Sequence, residues 1–372
     1  MQAPSSVVDL ARQLIAIPSV NPTGDPGTVH TGELAVAEFL KDFLTLAGAE
    51  VTLEEVLPGR PNVIARFPTD RPGKPVLGFA PHTDTVGVGG MKIDPFAAEI
   101  KNGRLYGRGS CDTKGPMAAQ LWALWQLRDQ LASLSHEIVF LGLMDEESGQ
   151  TGAAAAAQSV PLDFVLVGEP TSMEIVHTHK GSLWLEVTAT GVASHSSRPD
   201  LGRNAIYAIS RVIHHLETVV IPRLSLKTHP ILGSPTLSVG MIRGGSKINV
   251  VPDSCWLQVD VRTIPGPGDL FAELRSELTA IAPGIEVSLL RHAQPLDVAP
   301  DHLIIQKWKN LGSPLAGAPW FCDAAVFASH GIPAVALGPG SILQAHTADE
   351  FIEISEIKAG ASLFQAFLET LR

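Results

Sequence analysis

The chain reads as an α/β protein with a central mixed, mostly parallel sheet flanked by helices and a smaller α+β domain inserted into it. Three observations predict this. Outside residues 177–291, short apolar runs bounded by turn residues alternate with helical stretches. Inside 177–291 the texture changes to half-buried strands in the order β-α-β-β-α-β, the split-βαβ, ferredoxin-like arrangement. Finally, 372 residues at roughly 150 per domain predict two domains, or one domain with a large insertion. The boundaries are 1–176 with 292–372 for the larger domain and 177–291 for the insertion.

Taken in order, residues 33–48 place Leu34, Ala37, Leu40, Leu44 and Ala47 at helical spacing, with Gly48 as C-cap. Val76–Ala80, Glu137–Met144 and Phe164–Gly168 are apolar runs suited to strands buried on both faces. The alanines from Ala153 to Ala157 read as helix. In the insertion, Leu183, Leu185, Val187 and Ala189 alternate with polar or exposed positions, which is a half-buried strand. A helix follows, with Ile206, Ile209, Ile213, Leu216 and Val220 on one face. Then come strands 236–242 and 256–264, a helix opened by Asp269, and strand 285–290. Gly181 and Gly191 are the expected hinge or turn positions of a domain that moves. The chain returns through Pro333–Leu337 and ends in an amphipathic helix, 355–371.

Composition excludes several function classes. The longest apolar stretch, Ile138 to Met144, has seven positions, too few to span a bilayer. The N-terminus has no basic patch before an apolar run, so no export is expected. Lys and Arg number 27 against 38 acids, a net charge of −11, which disfavours a nucleic-acid partner. The three cysteines, Cys111, Cys255 and Cys322, form neither a disulfide framework nor a Cys-x-x-Cys site, as expected of a cytoplasmic protein. Gly107 and Gly109 sit in a glycine-rich loop, but no Gly-Lys-Ser/Thr follows, so nucleotide binding is rejected.

The chemistry lies at strand ends. VLGFA runs into Pro81-His82-Thr83-Asp84, IVFLGLM into Asp145-Glu146-Glu147, and FVLVG into Glu169-Pro170. A fourth run, AVALGPGSILQA, reaches His346, and the loop from Gly107 to Gly115 adds Asp112. In open α/β sheets ligands bind at the carboxyl ends of strands. Each segment has an ordinary reading: His-x-Asp as a surface turn, Asp-Glu-Glu as a solvated loop or acidic helix start, Glu169 as a strand end, His346 as a loop cap. Their joint occurrence favours chemistry. Imidazole and carboxylate without thiolate pairs favour zinc or a similar divalent ion, and the count suits two. Such a site needs a base that is not a ligand, and the pair Glu146-Glu147 offers one of each. It also needs a carboxylate behind an imidazole, and Asp84 is placed for that.

The motifs PHTDTV, GRGSCDTKG, DEESGQTG, VGEPTS, HKG, GVASHSSRPDLGRNAI and LGPGSILQAHTADE run from about residue 80 to 352. Together they resemble the M20 family of metallopeptidases and deacylases, most of all its acetylornithine deacetylase branch. The resemblance implies two zinc ions, with cobalt able to substitute. His82 and Glu169 would hold one ion, Glu147 and His346 the other, and Asp112 would bridge. It also implies Glu146 as general base and Asp84 as the partner of His82. The insertion would be a lid and homodimer interface from which His195 reaches the neighbouring subunit's site. Asn249, Arg262 and Gly338 would bind the substrate's polar groups. Cys111 departs from the pattern, where small residues are common, and reads as either a filler or an oxidation-sensitive thiol. The basic segment 198–203 leaves the acyl preference open. His177, His179, His214, His215 and His229 read as ordinary surface or helix-face histidines.

The implied activity is hydrolysis of an N-acyl amino acid such as N-acetylornithine. Its rivals are a succinyl-diaminopimelate desuccinylase, a metallo-carboxypeptidase or dipeptidase, and a non-catalytic metal-binding homologue. The last is disfavoured by the intact Glu146.

Overall fold

The computed structural model describes residues 3–23 and 28–372. They form two compact units, Met1–His177 with Val298–Ala316 and Cys322–Arg372, and Thr178–Asp297 with Gly317–Phe321. Among the described residues no helix is long and apolar enough to cross a membrane.

The first unit is built on a mixed sheet. Its strands follow the spatial order Glu50–Leu57, Arg60–Arg66, Glu137–Gly142, Val76–Pro81, Phe164–Gly168, Ala334–Ala336 and, through Val176, Ile175–His179. The centre is parallel and the flanks are antiparallel. Every residue of Phe164–Gly168 is buried, because helices cover the sheet and both strand faces must be apolar. Helix Leu34–Leu46 packs on the first two strands and buries Val36, Ala37, Leu40, Phe43 and Leu44. Leu34 was expected on the buried stripe, yet it opens the helix and stays exposed. Helix Lys114–Leu127 is buried nearly all round, held between the central strands and helices Val7–Ile15 and Ile354–Glu369. Trp308 stacks on Phe367, ring centroids 4.3 Å apart, and fixes the last of these helices. Because the central strands are parallel, their carboxyl ends share one rim.

The second unit is a four-stranded antiparallel sheet in the order Thr236–Gly244, Ser254–Thr263, Gly181–Thr190, Ile285–Ala293. Alternation sends Leu183, Leu185, Val187 and Ala189 into a core with Ile209, Val212, Leu216 and Leu274. Helix Ala205–His215 is capped by Asn204, and helix Leu270–Thr279 by Asp269, each side chain accepting an otherwise unpaired backbone N–H. A Cβ at Gly181 would collide with the Ala293 carbonyl oxygen and one at Gly191 with that of Arg203. Both glycines therefore serve close backbone approach within the unit.

Candidate metal centre

His82 follows the 76–81 strand, and its ring is pinned from behind. Nδ1 lies 2.9 Å from the backbone oxygen of Asp84 and 3.4 Å from Asp84 Oδ1. With Nδ1–H donating backward, Nε2 faces Asp112 Oδ1 at 2.9 Å. The Asp84 carboxylate also accepts the backbone amides of Glu146 (3.1 Å, Oδ1) and Glu147 (3.1 Å, Oδ2). The residue paired with His82 thus also holds the acid pair at the end of the neighbouring strand.

Asp112 is shared. Its Oδ1 meets His82, and its Oδ2 lies 3.3 Å from His346 Nε2. His346 Nε2 is in turn 3.2 Å from Glu147 Oε2. Glu169 presents a buried Oε1 with no hydrogen-bond partner. Ligand atoms of His82, Asp112 and Glu169 lie within 4.8 Å of one another, and so do those of Asp112, Glu147 and His346. A further set joins His82 with Glu146 and Glu147. The structure therefore brings His82, Asp112, Glu146, Glu147, Glu169 and His346 to one rim, with Asp84 behind them.

Burial and mutual repulsion govern the charges. Burial pushes the Glu146 carboxyl well above the usual range, and Glu169 adds to it. Burial does the same to Glu169, reinforced by Asp112. For Asp112 burial acts upward, but hydrogen bonds from His346 and His82 outweigh it and hold the carboxyl low. Hydrogen bonds to Asp112 and Glu147 push His346 up to about 10. An orphaned buried carboxylate oxygen among converging acids and imidazoles is the chemistry of a cation site. Two such groups sharing one aspartate fit a pair of divalent ions.

Sequence reasoning missed three residues here. Glu350 is fully buried and accepts four hydrogen bonds from the Asp112 loop: Arg108 Nη1 (2.5 Å), and the backbone amides of Gly109 (3.2 Å), Cys111 (2.9 Å) and Asp112 (3.1 Å). Its place four positions after His346 is the only signal it offered. Asn21, in Ser-Val-Asn-Pro, donates to Asp84 Oδ2 at 2.8 Å. Asp323 is fully buried, and burial pushes its carboxyl up to about 7; nothing in its surrounding sequence singled it out.

The remaining expected site residues fall elsewhere. His195 is exposed on the second unit, its Nδ1 2.8 Å from Ser197 Oγ. Asn249 is beside it, its carbonyl accepting from Ser196 N at 3.1 Å. Arg262 lies on the 254–263 strand, its Nε donating to Asp260 at 3.0 Å and its guanidinium 5.7 Å from the Phe321 ring. Gly338 is in the first unit; its carbonyl accepts from Met173 N at 2.9 Å and its N–H donates to Thr171 Oγ1 at 3.2 Å. A Cβ there would collide with the Glu169 carbonyl. The Cys111 thiol is buried and pushed up by burial, which makes it a small filler and not a reactive thiolate. His177 and His179 depart from expectation: both are buried on a strand, because alternation does not reveal that both faces are covered.

Acids and imidazoles at the carboxyl rim of an α/β sheet, with Glu169 Oε1 buried there without a hydrogen-bond partner among the described residues, define a metal-dependent hydrolase. The chain belongs to the peptidase family M20/M25/M40, whose pattern it matches over residues 78–370. It is 34% identical over 380 aligned positions to the acetylornithine deacetylase of Proteus mirabilis (strain HI4320), with 97% of this chain and 96% of that one covered. Its fold is similar to the M20 family metallo-carboxypeptidase Sso-CP2 from Sulfolobus solfataricus (TM-score 0.78, 20% identity, 98% and 99% of the chains covered). It is likewise similar to the aminopeptidase PepT from Bacillus cereus ATCC 10987 (TM-score 0.77, 22% identity, 98% of each chain covered).

Proposed function

We propose that the chain removes an acyl group, acetyl first among them, from an N-acyl amino acid, with N-acetylornithine the leading substrate. The observation that carries the reading is Asp112 shared between two ligand groups, with Glu146 beside them and outside both. Relatives named acetylornithine deacetylase supply the substrate class. His82 and Glu169 would hold one ion, Glu147 and His346 the other, and Asp112 both. Zinc suits these donors and cobalt can replace it. Bound there, such ions supply Lewis acidity to the amide carbonyl and bring the pKa of a water molecule towards neutrality.

The protein's own groups do the rest. Glu146 takes the water's proton and returns it to the amine nitrogen as the C–N bond breaks. The water oxygen ends in the carboxylate product. Asp84 keeps His82 oriented and the acid pair in place. His195, with Nδ1 engaged by Ser197, donates from Nε2 to the carbonyl oxygen as charge develops there. It does so from the second subunit of a homodimer assembled through the inserted domain, residues 177–291, which also serves as lid over the domain formed by 1–176 and 292–372. Asn249 and Arg262 hold the substrate's polar groups, and Gly338 contributes through the turn it permits. The three cysteines are free and buried, in keeping with a reducing cytoplasm.

Hydrolysis of acetyl-ornithine, succinyl-diaminopimelate and dipeptides by wild type and Glu146→Gln, with zinc or cobalt added, tests this. The acetylated substrate should lead, and the variant should lose about 10²–10⁴ in kcat while binding the same number of ions. A fully active variant removes the base assignment, and a preference for dipeptides removes the deacylase reading.

A further inference from the structure

Behind the rim lies a buried charge network that reaches the site through Asp84. Arg60 forks Glu33 through Nε (2.8 Å) and Nη2 (2.5 Å) and reaches Asp145 Oδ1 at 3.1 Å. Asn21 stands at the centre. One of its amide hydrogens goes to Asp84 Oδ2 (2.8 Å) and the other to Asp145 Oδ1 (3.0 Å). Its carbonyl accepts from Thr23 N at 2.9 Å. Both donors of the carboxamide are used, so it cannot flip without setting an oxygen against two carboxylates. Its backbone is anchored as well, because Asn21 N donates to Thr85 O at 2.8 Å and Thr85 N to Ser19 O at 3.0 Å.

The two carboxylates it joins belong to different strand ends. Asp84 carries the segment of His82. Asp145 precedes Glu146 and Glu147 and has a left-handed backbone (φ 70°), a conformation that persists only where the surroundings over-determine it. Thr151 Oγ1 (2.8 Å) completes the hold on Asp145. All four of Asn21, Glu33, Asp84 and Asp145 are at most 3% exposed, so water cannot replace a lost donor.

We propose that Asn21 is a positioning residue of the metal centre: its carboxamide sets the spacing between the His82 strand end and the Glu146–Glu147 strand end. The inference rests on the metal-centre reading above and concerns a residue that touches neither ion nor substrate. Loss of the amide leaves Asp84 and Asp145 to repel each other, and the shift passes through Asp84 to the His82 ring and to the backbone amides of the acid pair.

The test is calorimetric titration of metal-stripped protein with Zn²⁺ and with Co²⁺, alongside thermal unfolding of the same samples and kcat and KM at saturating ion. Asn21→Asp keeps the shape, loses both donors and adds a carboxylate. It should bind ions about 10- to 100-fold more weakly, the usual effect of removing a partner behind a ligand. At saturating ion its kcat should fall while KM holds. Asn21→Ala, which adds no charge, should move in the same direction and carries the comparison if the aspartate variant does not fold. Thr151→Val removes the side-chain hydroxyl that also holds Asp145 and leaves the Asn21 bridge to Asp84 intact. It should lower melting and leave ion affinity near wild type. Wild-type ion affinity in both Asn21 variants overturns the inference, as does a loss of affinity in Thr151→Val as large as that in Asn21→Ala, which makes the role purely structural. A wild-type protein that binds no ion overturns the metal-centre reading and the inference with it.

Discussion

Glu350→Gln is the substitution whose cost the structure states most directly. The carboxylate is buried, and its two oxygens divide four donors: Arg108 Nη1 and Gly109 N on one, Cys111 N and Asp112 N on the other. An amide can present only one oxygen. Whichever way the amide turns it carries no charge, so Arg108, a guanidinium that is 3% exposed, loses its counter-charge at about 3–5 kcal/mol. If its NH2 faces the Cys111 and Asp112 amides, two buried N–H groups lose their acceptor as well, at about 1–3 kcal/mol each. The counter-charge alone sets about 3–5 kcal/mol. At about 2–4 °C per kcal/mol for domains of this size, the first unit's melting transition should fall by about 6–20 °C in scanning calorimetry. Glu353→Gln is the internal control. That glutamate pairs with Arg104 at 2.7 Å, but the side chains are 36% and 42% exposed, so its loss should stay within about 0.5 kcal/mol. If the two variants melt together, Glu350 does not organise the Asp112 loop and the reasoning fails.

Other consequences are as direct. Burial holds His179 down to about 4 from an ordinary 6.5. The stability it confers is complete above pH 6.5 and is lost as pH falls towards 4, about 3 kcal/mol in all; denaturant midpoints of His179→Asn should show a flatter pH dependence than wild type across that window. Mixing His195→Ala with Glu146→Gln should restore hydrolysis that neither variant shows alone, because a mixed dimer pairs an intact base with an intact histidine; silence in a verified mixed dimer rules out action across subunits. Stripping the protein with a chelator should abolish hydrolysis and lower only the first unit's melting transition, with zinc or cobalt restoring both. A chelator-resistant rate would exclude metal dependence.

How much of this was legible follows from where each residue's partners lie. The strand ends carrying His82, Glu146 and Glu169 could be read because both-face burial leaves uninterrupted apolar runs, and a break into acids or histidine marks the rim. Asp269 could be read as a cap because its partner, Ala272 N, lies within one helical turn. Asn21 could not, since the residues it joins lie 63 and 124 positions away. Nor could Glu350, whose donors precede it by 238 to 242 positions. No local pattern encodes such distances. His177 and His179 were misread for the same reason, because what buries them is tertiary. Non-glycine residues with left-handed backbones, Asp145 and His346 among them, carry no compositional mark either.

The same dispersion couples the centre to folding. Donors drawn from His82 to His346 meet only in the native chain, so ion-binding energy is folding energy. Without a cation these groups settle their mutual repulsion with protons. His346 holds one up to about pH 10 through Asp112 and Glu147, and burial favours protonated Glu169. A divalent ion must displace those protons, so its affinity falls as pH falls. Asp84 and Glu350 are not ligands: Asn21 and the backbone amides of Glu146 and Glu147 hold Asp84, and Arg108 and the backbone amides of Gly109, Cys111 and Asp112 hold Glu350. They keep the donors in place through the proton exchange, which is why substitutions at these supports should disturb ion binding without removing a ligand.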